Sequence, residues 1–203
     1  MITIEKITKQ IQKKQIIKCV DNKAAVLLPI VHVDDQLELL FQVRSKKLKW
    51  QPGDICFPGG RVELTDINPE HTAKRETAEE LGIAFNQITI LGQLPKFIAT
   101  LGMMIYPFVG TINSLDDLQL NHDEVEQIFT VPIKWFIDNQ PQCATMFLGQ
   151  KPADNFPFDV ITNRSTNWQK RSEHAVYYYQ YQNWVIWGLT AQLLKFFIDT
   201  IGE

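Results

Sequence analysis

Phe57-Pro58-Gly59-Gly60-Arg61 and, after a polar stretch, Arg75-Glu76-Thr77-Ala78-Glu79-Glu80-Leu81-Gly82 are the two runs on which the fold of this chain turns. In the second, Glu76, Glu79 and Glu80 stand at i, i+3 and i+4, so that on a helix three carboxylates share one face within a turn. Like charges so placed repel, and Lys74 and Arg75 beside them offset part of that repulsion. One reading is a solvated acidic face, because Glu is a strong helix former. The other is a set of hard oxygen ligands that collects a divalent cation, Mg2+ or Mn2+, which removes the repulsion and is suited to bridging to phosphate oxygens. The upstream glycines favour the second reading, since they let backbone approach a ligand closely.

Outward from this pair of runs, Pro69 to Leu81 reads as one helix, with proline in its first turn and Gly82 just past its end. Lys23 to Val43 reads as a hairpin of two largely buried strands turning at Asp34-Asp35, followed by a basic loop, Arg44 to Pro52, and a short apolar run, Asp54 to Phe57. Gln87 to Leu94, Met103 to Ile112 and Glu124 to Val131 are expected strands, Pro132 to Asn139 a short helix, and Ile186 to Ile201 a longer one. Gly149 to Arg171 carries Pro152, Pro157 and several Asn without periodicity and is expected to be a long, substrate-facing loop. Residues 1–20, with Ile4, Ile7 and Ile11 at helical spacing, form an expected N-terminal helical extension, and 21–203 a single domain that includes the C-terminal helix.

Composition limits the function classes. The 203 residues carry 20 Lys plus Arg against 23 Asp plus Glu, a net charge of −3, which disfavours a phosphate-tracking nucleic-acid binder. No apolar stretch approaches the ~20 residues of a bilayer span. Three scattered cysteines, Cys19, Cys56 and Cys143, make no disulfide framework, so the expected compartment is the cytoplasm. The four histidines show no ligand spacing.

Gly60, Asp66, Arg75-Glu76, Glu79-Glu80, Gly82 and Ile83 together resemble the box of the Nudix hydrolase family. That box runs Gly, five residues, Glu, seven residues, Arg-Glu, an apolar residue, any residue, Glu-Glu, any residue, Gly, an apolar residue. Here Asp66 replaces the first Glu, eight residues precede Arg75, and Thr77 takes the apolar place. The Asp and the added residue are similar to the coenzyme A pyrophosphatase branch. Leu40-Phe41-Gln42-Val43-Arg44-Ser45, Lys49, Gly53 and Phe57-Pro58-Gly59-Gly60 resemble that branch's second motif, with Phe41-Gln42 for Leu-Thr and Lys49 for Arg. Pro107 to Gly110, Asp123 to Glu126 with Val131-Pro132, and Ile186 to Ala191 look like the branch as well.

The resemblance implies an α/β (α+β) fold, a mixed β-sheet sandwiched between helices. It also implies a metal-dependent diphosphatase that cleaves coenzyme A or a derivative into 3′,5′-ADP and a 4′-phosphopantetheine product. Another nucleoside diphosphate derivative, such as ADP-ribose or NADH, is the alternative substrate, and a non-catalytic binding module the alternative of another class. The metal ligands are then Glu76, Glu79 and Glu80, and Mg2+ or Mn2+ the cofactor. Glu79, Glu80 and Glu124 are candidates for proton transfer, with Arg75 orienting a box glutamate. Arg44, Lys49 and Arg61, with Gly59 and Gly60, are the expected substrate-binding residues, because a diphosphate and a 3′-phosphate bring charge that three carboxylates alone would repel. The expected partner is a small-molecule nucleoside diphosphate, with no nucleic acid and no membrane; a homodimer is left open.

Overall fold

The computed structural model describes residues 22–99, 102–116 and 118–202. The N-terminal helix expected over 1–20 lies outside them. Strand β1 (Lys23–Val33) and strand β2 (Gln36–Arg44) form the expected hairpin, and both turn residues, Asp34 and Asp35, have positive φ (45° and 62°). Two left-handed residues give the turn the twist that antiparallel strands need, and Asp tolerates that region better than most side chains.

β1 is the centre of an eight-stranded mixed sheet. Along one edge it runs parallel to β7 (Met104–Ile112). Along the other it pairs first with β4 (Gly59–Arg61), over Ala24 to Val26, and then with β2, from Ile30 onward. Pro29, which cannot donate to a ladder, falls in the gap where this edge changes partner, which is how a central strand accommodates it. β3 (Ile55–Cys56) and β8 (Val125–Pro132) extend the sheet beyond β2, and β5 (Ile88–Gln93) and β6 (Phe97–Ile98) pair with β7.

Helix α1 (Pro69–Leu81) covers one face of the sheet, where Ala73 and Leu81 pack on Ala25, Leu27, Val31, Leu40 and Phe108. Helices α2 (Ile133–Asp138) and α3 (Gly188–Ile201) cover the other, where Phe136, Leu194 and Phe197 pack with Leu28, Phe41 and Phe57. The α+β sandwich is therefore as expected. No helix among the described residues is long and apolar enough to cross a membrane.

The C-terminal third corrects two expectations. Gly149 to Arg171 is not one loop: β9 (Gln142–Gln150) and β10 (Gln169–Tyr181) form a long antiparallel ribbon, leaving only 151–168 between them. The expected helix from Ile186 begins two residues later, because Ile186 and Trp187 belong to β11 (Trp184–Trp187), which pairs with β10. β11, β10 and β9, in that order, make a second sheet.

Candidate active site

The loop between β4 and α1 is built around Asp66. Its side chain is fully covered, and it accepts from Arg75 Nε at 2.9 Å and Nη2 at 3.0 Å, from Thr72 Oγ1 at 2.8 Å and from the Glu63 amide at 2.9 Å; His71 Nδ1 lies 3.0 Å away. These donors, Arg75 foremost, hold the Asp66 carboxyl far below the usual carboxylate range. Asn68 then caps the helix by accepting from the His71 amide, Pro69 occupies the first turn, and Gly82 ends it at φ 65°. The eight residues between Asp66 and Arg75 are thus Ile67, the N-cap Asn68 and the first six residues of the helix, which bring the guanidinium back onto the carboxylate.

Arg75 binds both partners of the box at once. Nη2 donates to Glu76 at 2.9 Å and to the Arg61 carbonyl at 3.4 Å, and Nη1 donates to Glu79 at 3.1 Å. Thr77, at the place where the box pattern has an apolar residue, is fully buried because its hydroxyl donates to the Ala73 carbonyl at 2.7 Å and leaves its methyl to pack.

The three box glutamates occupy different environments. Glu80 is buried and accepts from the Gly59 amide at 2.9 Å, a contact that lets β4 and α1 close on each other. Burial pushes its carboxyl up to about 8; Gly59 and Gln42 oppose the shift, while the charges of Glu76 and Glu124 add to it. Glu76 is raised by burial, with Arg75 opposing. Glu79 is 55% exposed. A Cβ on Gly60 would fall on the Glu76 carboxylate, 2.5 Å from either oxygen, so glycine leaves the room that this carboxylate occupies. At Gly59 a Cβ would strike the Ala25 carbonyl and the Val26 backbone, at a φ of 149°.

As placed, no three acidic, histidine or cysteine side chains among the described residues stand close enough to hold one cation, since Glu76 and Glu79 turn to Arg75 and Glu80 to Gly59. The donor set fits a hard cation all the same. Three carboxylates project from two adjacent turns, and the Glu76 carboxylate lies directly against the Gly60 backbone.

Segment 119–125 joins the site by capping the end of α1: the Asn121 amide donates to the Glu80 carbonyl and the Gln119 amide to the Leu81 carbonyl, both at 3.0 Å. This capping sets Glu124, in an exposed turn just before β8, where its charge acts on Glu76 and Glu80. The Glu124 carbonyl accepts from the Ser45 amide at 2.8 Å, which ties the basic loop to the same turn. In that loop Arg44 donates from Nε and Nη2 to the Trp50 carbonyl, each at 3.3 Å, and Lys47 pairs with Asp123 at 2.7 Å. Lys49 and Arg61 are exposed.

Two residues beside Glu80 carry no expected role. Gln42, 1% exposed, donates to Cys56 Sγ at 3.6 Å and leaves Oε1 buried without a partner. The Cys56 thiol is pushed up to about 11 by burial and by Glu80, so it stays protonated. The sequence signal for Gln42 is its place as a departure from the second motif, and only the continuous burial of β2 from Leu39 to Val43 shows that its side chain is covered.

Comparison with known proteins bears on the family of the chain. The family model of the NUDIX domain matches residues 21–147. The chain is 37% identical over 119 residues to the peroxisomal coenzyme A diphosphatase NUDT7 of Mus musculus, covering 59% of this chain and 50% of that protein. It is 37% identical over 123 residues to the peroxisomal coenzyme A diphosphatase ndx-8 of Caenorhabditis elegans, covering 59% of this chain and 52% of that protein. The chain thus spans about half the length of these two relatives. It is 31% identical over 172 residues to the uncharacterized Nudix hydrolase NudL of Pectobacterium atrosepticum, covering 85% of this chain and 79% of that protein. Among solved structures, a MutT/nudix family protein from Enterococcus faecalis superposes with a TM-score of 0.50 at 13% identity over 100% of this chain and 71% of that one, a likeness of fold alone.

Proposed function

The chain belongs to the Nudix family, and from that premise we propose that it hydrolyses the diphosphate of coenzyme A or a derivative, giving 3′,5′-ADP and a 4′-phosphopantetheine product. The observation that carries the reading is the coupling of the two sequence runs in space: the Gly59 amide holds Glu80, and Gly60 leaves room for Glu76. The similarity to two coenzyme A diphosphatases supports the choice of substrate.

Glu76, Glu79 and Glu80 would hold Mg2+ or Mn2+. When bound, such an ion neutralises diphosphate oxygens and makes a water molecule more acidic. Arg75 fixes the rotamers of Glu76 and Glu79, and Asp66 in turn fixes Arg75. Glu124 takes the proton of the attacking water, from a position whose field already reaches the box. Arg44, Lys49 and Arg61 meet the negative charge of the substrate, with Arg44 giving up its bonds to the Trp50 carbonyl or sharing them. The protein works as one domain over 21–203 in the cytoplasm.

The test is incubation with Mg2+ or Mn2+ and, separately, coenzyme A, dephospho-coenzyme A, ADP-ribose and NADH, with products identified by mass. Coenzyme A is expected to yield the two named products fastest, and chelator to stop the reaction. Preferential cleavage of ADP-ribose or NADH would move the chain to another substrate, and no cleavage of any of the four would make it a binding module.

A further inference from the structure

β9, Gln142-Cys143-Ala144-Thr145-Met146-Phe147-Leu148-Gly149-Gln150, is the outer strand of the second sheet and pairs, among the described residues, with β10 only. Natural edge strands are normally short or protected by charge, proline or a bulge that turns the edge away. This one has nine residues, no charge and no proline; the bulge in its pairing lies on β10, between Lys170 and Ser172, and leaves the register of β9 itself unbroken, and Met146, Phe147 and Leu148 are 48%, 55% and 39% exposed. Its backbone donors and acceptors on the outer side form a ready ladder.

We propose that this edge pairs with the same edge of a second copy of the chain, antiparallel about a two-fold axis at Met146. That register uses all nine residues and is complementary in size: Phe147 faces the partner copy's Thr145, Leu148 its Ala144, and Met146 its own counterpart. Charge complementarity also favours a second copy over a charged peptide. On the neighbouring strand, Lys170 and Glu173 neutralise each other at 2.5 Å, and the Lys170 ammonium lies over the Phe147 ring at 4.0 Å. Two such edges therefore meet without like charge opposed, and a strongly charged segment would find one cation, Arg171 at the Gln150 end, and no counter-charge along the rest of the strand. Trp168, packed against Gly149 and 52% exposed, extends the apolar strip toward the position of the partner copy's Cys143.

Light scattering on the full chain at ~10 to 100 μM should give twice the 23.5 kDa of one chain. Met146→Lys should return the mass to that of one chain and weaken association at least about tenfold, with an unchanged circular dichroism spectrum and a melting temperature that no longer rises with protein concentration. In a Cys19→Ser, Cys143→Ser background, Met146→Cys should cross-link under mild oxidation, because residues paired across the axis have Cα atoms ~4.5–5.5 Å apart. Leu148→Cys should not, since the two copies of that residue lie ~13 Å apart along the strand direction at ~3.3 Å per residue. A single-chain mass for the wild type, a dimer that persists in Met146→Lys, or equal cross-linking of the two cysteine variants would each overturn the proposal.

Discussion

At the scale of single residues, Gly59 and Gly60 make opposite predictions although they are neighbours. A methyl at Gly59 meets backbone on β1 at a φ that side chains avoid, so Gly59→Ala should destabilise the fold by about 2 kcal/mol or more. The nearest atoms a methyl at Gly60 meets are the movable end of Glu76, so Gly60→Ala should lower the melting temperature far less than Gly59→Ala while turnover falls. Equal thermal losses in the two variants, measured by circular dichroism, would contradict this. Asp66 and Glu80 are a second contrasting pair. Asp66 has a lowered folded-state pKa, so its contribution to stability is present above the unfolded value of ~4 and is lost as pH falls below it. Asp66→Asn should cost about 2 kcal/mol near neutrality, because Arg75 loses its covered, doubly bonded partner and keeps only Glu76 and Glu79, and its melting temperature should fall less steeply than the wild type's below pH ~4. Glu80 has a folded-state pKa raised to about 8, so its contribution is present below the unfolded value of ~4.5 and is lost as pH rises through about 8. In chelator above that pH, Glu80→Gln should melt at a higher temperature than the wild type. A lower one would show that Glu80 is seated by interactions other than those described.

At the scale of elements, α1 was legible because its signals are local. Asn68, Pro69 and Gly82 set its ends, and Glu76, Glu79 and Glu80 fall on one face by spacing alone. Asn68→Ala should cost about 1 kcal/mol, read from a denaturant midpoint, since the His71 amide loses its acceptor. The β1–β2 hairpin was legible for the same reason, two apolar runs around Asp34-Asp35. β9 and β10 were not. β9 is exposed on both faces nearly throughout and so has no polar–apolar alternation, and the first half of β10 is charged and exposed. Such strands are specified by pairing with each other rather than by burial, which a single sequence does not display. In the site, Arg75 was readable as the residue that orients a box glutamate. Its anchoring to a covered Asp66 and the seating of Glu80 on the Gly59 amide were not, because both depend on contacts between β4, the loop and α1.

At the scale of the whole molecule, the match to the family ends at residue 147, yet Tyr179, Ile186, Leu194 and Phe197 lie in the same core cluster as Phe41, Phe57 and Phe136. The C-terminal third should therefore not be separable: the full chain should unfold in one cooperative transition, and truncation after residue 147 should give a chain with no thermal transition. A truncated chain that melts cooperatively would show two independent units. The account rests on the helix that links the fold to the chemistry, and Glu79 is the box residue whose removal disturbs the fold least, being 55% exposed with one bond to Arg75. The direct test is the rate of coenzyme A cleavage by Glu79→Gln against wild type at saturating Mg2+. The prediction is a loss of about 10²- to 10⁴-fold with an unchanged melting temperature, and near-wild-type turnover with the same metal dependence would contradict the assignment of the acidic helix as the catalytic element.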